Sequence, residues 1–242
     1  MVRTLIVAVT LLALSTDVQA DLIVSVDFNE IIFGPTTAYS GAAVLGAAGD
    51  TWKGVGKAFN DTSPVLNHPL VDSTGATTSL TLSAPSLAFF DVGTNTTGPL
   101  YSGSAYELMR DYVYAPASAP QTLTVSGLTA GADYRLVVYS STNVAGRETN
   151  FTVNGVTKTV SPIATSNLIE FVNYADFTTA ADGSGQLSFT FTGNGSESAL
   201  NGFQIQSVAA VPEPSSLVMF SLFGLCGAGL RRRRQCHATI SQ

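Results

Sequence analysis

The chain has 242 residues and a formal net charge of −6, but the charge is unevenly spread. Asp21 to Ala210 carries 15 acidic and 6 basic residues, a net of −9, which Arg3 and Arg231, Arg232, Arg233 and Arg234 partly offset. So acidic a central segment lacks the Lys/Arg patches that nucleic acid or anionic lipid needs. Both cysteines, Cys226 and Cys236, lie outside it, so it holds no disulfide and no thiol nucleophile.

In chain order, Arg3, the apolar run Leu5 to Leu14 and then Val18-Gln-Ala20 have the basic start, apolar centre and small-residue exit of a secretory signal peptide. Cleavage is expected between Ala20 and Asp21, which makes residues 1–20 a leader handled by the Sec translocon and signal peptidase. Leu22 to Phe28 alternates as a strand. Ala38 to Gly49 and Asn60 to Pro69 read as loops, with Trp52 and Phe59 as core aromatics. Strands resume at Thr77 to Leu82 and Leu87 to Val92. Gly93 to Gly103 is turn-rich, and Tyr106 to Val113 reads as the one short helix.

Beyond Pro120 the pattern sharpens. Thr122 to Val125 and Tyr134 to Tyr139 are strands. Phe151 to Val153, Asn154-Gly155 and Val156 to Val160 make a hairpin with a type I′ turn. Leu168 to Phe177 follows, then the turn Asp182 to Gly185, a strand at Gln186 to Thr192 and a last one at Leu200 to Val208. Short strands separated by turns at about 8 to 12 residues predict an all-β chain, with a single antiparallel β-sandwich over residues 21–210.

After the sandwich come Val211-Pro212-Glu213-Pro214-Ser-Ser216, an apolar run from Leu217 to Leu230, and Arg231 to Arg234 within a basic tail, 231–242. Fourteen helical residues span roughly 21 Å, short of a hydrocarbon core of about 30 Å. Arginine stems that lie along the acyl chains extend that reach. The arginines stay cytoplasmic and the sandwich is exported. This tripartite tail resembles the PEP-CTERM sorting signal of Gram-negative bacteria, Pro212, Glu213 and Pro214 matching its naming tripeptide. The resemblance implies a transient inner-membrane anchor, processing by an exosortase, and a destination at the cell surface or outside the cell.

A second resemblance rests on Ser126-Gly-Leu128, Gly131, Tyr134-Arg-Leu136, Phe151-Thr-Val-Asn-Gly155, Gly185 and Leu200-Asn-Gly-Phe-Gln-Ile205. In this order they look like the jelly-roll domains related to galactose-binding and carbohydrate-binding modules. That likeness implies a non-catalytic site for polysaccharide. Glycan sites combine aromatic rings with polar groups for hydroxyls, which singles out Tyr101, Tyr106, Tyr112 and Tyr114 with Arg147; Trp52 is assigned to the core. The likeness also implies a structural calcium ion near the chain ends, with oxygen ligands from Asp27, Glu30 and Glu197; no other cofactor is expected. The rival for these acids, as for Asp91, Asp133, Asp176 and Asp182, is local bonding of backbone amides. His68, alone on an expected loop, lacks the partners of a catalytic triad or a zinc site. The rival functions are a structural, protein-binding matrix component and a glycosidase or lyase, the latter needing a carboxylate pair in a cleft.

Overall fold

The computed structural model of the protein describes residues 22–30, 38–58, 61, 63–91, 99–117 and 119–208, with only the backbone of Glu30. The expected leader with its Ala20/Asp21 junction, the Pro-Glu-Pro motif, the apolar helix 217–230 and Arg231 to Arg234 lie outside them. Among the described residues no helix is long and apolar enough to cross a membrane.

The elements are β1 (Ile23–Glu30), β2 (Lys53–Lys57), β3 (Val65–Val71), β4 (Thr77–Ala84), β5 (Ala88–Asp91), α1 (Tyr106–Arg110), β6 (Asp111–Ala115), β7 (Gln121–Ser126), β8 (Asp133–Tyr139), β9 (Thr149–Val153), β10 (Val156–Val160), β11 (Tyr174–Ala180), β12 (Gln186–Gly193), β13 (Ser198–Leu200) and β14 (Gly202–Ser207). They form a five-stranded sheet in the order β11-β8-β14-β1-β2, a six-stranded sheet β10-β9-β12-β7-β4-β3, and a three-stranded sheet β13-β6-β5. All pairings are antiparallel except β1 with β2. The predicted sandwich is therefore present.

Alternation decides which face each strand buries. In β12, Leu187, Phe189 and Phe191 are buried while Gln186 and Ser188 face out. The two large sheets meet through such rows: Phe189 of one packs edge-on against Phe203 of the other at 5.4 Å, and Phe203 also contacts Phe28 on the adjacent strand of its own sheet, at 6.3 Å. Between β9 and β10 the turn residues Asn154 and Gly155 both have positive φ, 46° and 79°, as a type I′ turn requires.

The outer face of the five-stranded sheet is also covered. Tyr39, Leu45, Trp52, Tyr101, Leu108 and Met109 pack on Val137 and Tyr139 as a second apolar cluster. Tyr139 donates to Gln204 Oε1 at 2.5 Å and accepts from Val44 N at 3.0 Å, while Gln204 Oε1 also accepts from Leu45 N. The cover is thus stitched to the sheet by buried polar bonds, each costly to leave unmade.

Three local expectations are corrected. Asn60 to Pro69 is not all loop: β3 runs from Val65, at the sheet edge where Pro69 leaves no interior ladder bond unmade. The helix stops at Arg110, and Asp111 to Ala115 is a strand. Leu168 to Phe177 is strand only from Tyr174; the residues before it form a turn, with Phe171 at φ 66°.

Trp52 is 3 % exposed, lies 5.3 Å from the Tyr39 ring and donates Nε1–H to Gly41 O at 2.9 Å. Trp52→Ala should therefore cost about 3–5 kcal/mol of stability. Denaturant unfolding measures this, and a loss below about 1 kcal/mol would show that the second cluster is not a core.

Candidate functional site

The three-stranded sheet touches β1 of one large sheet and β9 and β12 of the other, so it bridges the layers. Its inward face gives Phe89, Val113 and Leu200 to the main core. Its outward face carries a separate cluster in which Phe90 and Tyr114 pack against Tyr112 and Ala199. The pattern follows from register. Tyr112 and Tyr114 are two apart on β6 and share a face, and Phe90 sits directly across from Tyr112, with the rings 5.4 Å apart.

Two further segments wall this surface. The loop after β8 supplies Asn143, Val144 and Arg147, and the turn before β13 supplies Glu197; with Phe90, Tyr112 and Tyr114 they line a groove of about 200 Å3. Arg147 Nη1 donates to Tyr112 Oη at 3.4 Å, and Nη2 lies 3.2 Å from Glu197 Oε2. Burial pushes the Tyr112 phenol up to about 12, against the lowering pull of Arg147, so it stays a neutral hydroxyl. The groove therefore offers the half-buried rings of Phe90 and Tyr114, the buried Tyr112, a guanidinium, a carboxylate and an amide.

Asn201, fully buried between β13 and β14, positions these pieces. Its Nδ2 donates to Met109 O at 3.0 Å and Asp111 O at 2.8 Å, fixing the entry to β6, and its Oδ1 accepts from Ser141 N at 2.5 Å, fixing the start of the Asn143–Arg147 loop.

Of the expected ligand residues, Tyr112, Tyr114 and Arg147 come together. Tyr101 and Tyr106 do not. Tyr101 is 2 % exposed in the second cluster, and Tyr106 opens α1, outside the groove lining. Sequence reading missed Phe90, Asn143 and Val144; the alternation of Phe89 and Phe90 was the signal for the first, because one of two adjacent strand aromatics must face out.

Of the expected calcium ligands, Asp27 and Glu197 have described side chains. Glu197 is held by Arg147 in the groove, whereas Asp27 is fully buried on β1 and accepts from Tyr39 N at 2.7 Å and Asn29 Nδ2 at 2.9 Å. The side chain of Glu30 lies outside the described residues. Among the described residues no three His, Cys, Asp or Glu side chains converge. Other turn acids play the local role: Asp182 Oδ1 accepts from Ser184 N and Gln186 N, and Asp72 Oδ1 accepts from Thr74 N and Ala76 N. His68 is on β3, and burial lowers its pKa.

A buried acidic group lies behind the groove. Asp91 pairs with Asp111 in register, and Arg110 clamps Asp91 with Nη2 at 2.8 Å and Nε at 3.3 Å. Burial, then the hydrogen bond to Asp91, raises Asp111 to about 9, and burial raises Asp27 to about 7. One oxygen of each, Oδ1, is buried without a hydrogen bond.

Residues 210–234 match the PEP-CTERM protein-sorting motif. That motif implies export, membrane-anchored processing by an exosortase, and surface or extracellular release. A comparison with curated sequences finds no match. Among solved structures, the chain is similar to a plant receptor-like kinase, at 13% identity over 51% of this chain and 40% of that one, with a TM-score of 0.33. It is also similar to an exo-beta-1,3-galactanase from Phanerochaete chrysosporium, at 18% identity over 57% and 32%, TM-score 0.27. A third is TmCBM61, solved with beta-1,4-galactotriose, at 12% identity over 54% and 85%, TM-score 0.20. The chain spans less than half the length of the first two, and likenesses at this level assign it no ligand.

Two predictions follow from this geometry. The carboxyls of Asp27 and Asp111 have higher pKa values folded than unfolded, so their stabilising share is complete below about pH 4 and is lost as pH rises through about 7 for Asp27 and about 9 for Asp111. The Asp27 share is roughly 4 kcal/mol. Urea unfolding across pH 4 to 9 should show the decline, and Asp27→Asn should flatten its lower part; an unchanged slope in that variant refutes the assignment. Asn201→Asp exchanges two amide donations for carboxylate–carbonyl repulsion and should destabilise the fold by about 3 kcal/mol or more, read as a lower urea midpoint with an unchanged m-value.

Proposed function

We propose that the protein is an exported surface or matrix component whose sandwich binds carbohydrate in the Phe90–Tyr112–Tyr114 groove, without catalysis. The observation that carries this reading is the combination on one outward sheet face of aromatic rings with Arg147, Glu197 and Asn143 at its rim. Rings match the C–H face of a sugar, and the planar polar groups match its hydroxyls. The groove is smaller than the roughly 300–1,000 Å3 of clefts that enclose drug-sized ligands, and so suits one residue of a glycan lying across it. Among the described residues a single carboxylate lines it, and that one is already paired with Arg147, whereas glycoside hydrolysis uses two carboxyl groups. The second reading, a protein-binding matrix component, is favoured by Ile163, Ile169 and Phe171, exposed on the segment between β10 and β11.

A glycan array probed with the exported protein tests the first reading. Tyr114→Ala should then weaken binding to any hit by about three- to tenfold, the worth of one aromatic contact, with a melting midpoint within a few degrees of the parent. Binding that survives Tyr114→Ala and Arg147→Ala undiminished places the ligand elsewhere.

A further inference from the structure

Resting on that reading, we infer that the groove selects neutral glycans and that Glu197 is the specificity-determining residue that turns uronate-bearing chains away. Among the described residues, Arg147 is the only cation that lines the groove and Glu197 the only carboxylate. They are 3.2 Å apart, with half of the Glu197 side chain exposed and 28% of the Arg147 side chain. Arg147 is also engaged by the Tyr112 hydroxyl. A sugar carboxylate entering the groove would have to take Arg147 from Glu197 and leave two anions side by side. A neutral sugar meets no such conflict. One hydroxyl can accept from the guanidinium while its neighbour donates to the carboxylate, so a vicinal diol bridges the existing pair instead of breaking it.

The surroundings push the same way. The segment Asp21 to Ala210 has a formal net charge of −9. A field of that sign lowers the encounter rate of polyanions. Tyr112 adds a neutral hydroxyl to the groove and no charge.

The test is an array carrying neutral oligosaccharides beside uronate counterparts of the same linkage, probed with the exported protein and with Glu197→Gln. The native protein should bind neutral members. Glu197→Gln should gain about fourfold for the uronate counterparts, the factor for removing one unit-charge repulsion at about 5 Å in high dielectric. A native protein that binds uronate members as tightly as neutral ones overturns the inference and leaves carbohydrate binding standing. Neutral binding with no gain in Glu197→Gln overturns the role of Glu197. Binding to no member of either set overturns both this inference and the reading beneath it.

Discussion

Asn201 is the side chain on which the candidate site depends most. It sits where the chain leaves β13 in the small sheet and enters β14 in the five-stranded one, a step that places the peptide groups around it beyond the reach of any ladder. Buried groups without partners are costly, and one amide satisfies three of them: the carbonyls of Met109 and Asp111 and the N–H of Ser141. Its own backbone accepts from Phe28 N and donates to Tyr139 O. The residue after it must be small, since a Cβ at Gly202 would fall on Val26 O and 2.9 Å from Leu108 Cδ1. One Asn-Gly step thus locks β1, β8, β6 and the loop after β8 together. That is why residues as far apart in sequence as Phe90, Tyr112, Arg147 and Glu197 can share a groove.

A second constraint is the double burial of the five-stranded sheet. Its inner face is apolar, but its outer face presents Ser25, Asp27, Asn29 and Gln204, all buried. Such a face tolerates a cover only if the cover brings hydrogen bonds with it. The backbone of Tyr39 bonds Asp27 and that of Leu45 bonds Gln204, while Trp52, Tyr39 and Leu45 supply the apolar contact. Polar pairing fixes where the cover docks, and apolar burial supplies the drive.

These two devices mark the line between what was legible in the sequence and what was not. Strands with strict alternation, such as β12, or with a diagnostic turn, such as the Asn154-Gly155 hairpin, are written in local pattern and were readable. Trp52 was readable as core for the same reason. β6 was not, because Tyr106-Glu-Leu-Met-Arg-Asp-Tyr-Val113 has apolar residues at helical spacing up to Arg110, and its change to period two is set by pairing with β5 and β13, both distant in sequence. The tyrosines are singled out by residue type alone, which does not say which of them face a core. Tyr112 and Tyr114 do reach the groove, but as alternate residues of a strand, while Tyr101 fills a second core that only the folded cover creates. Asn201 stood in a recognisable Leu-Asn-Gly-Phe pattern, yet nothing local announces three backbone partners 60 to 92 residues away.

The placement of the chain ends gives the fold its functional direction. β1 and β14 are antiparallel neighbours in the middle of the five-stranded sheet, with Ile23 opposite Gln206, so the two ends of the described domain leave it side by side. The sorting motif begins at residue 210, after the last described strand has ended at Ser207, so processing there removes no described strand. The groove is organised around the other end of β14, where Gly202 meets Asp27 and Tyr139. The five steps from Gly202 to Ser207, at about 3.3 Å each, put roughly 17 Å between the two ends of β14. The ends of the described domain and the Asn201-Gly202 step that organises the groove therefore lie at opposite ends of one central strand.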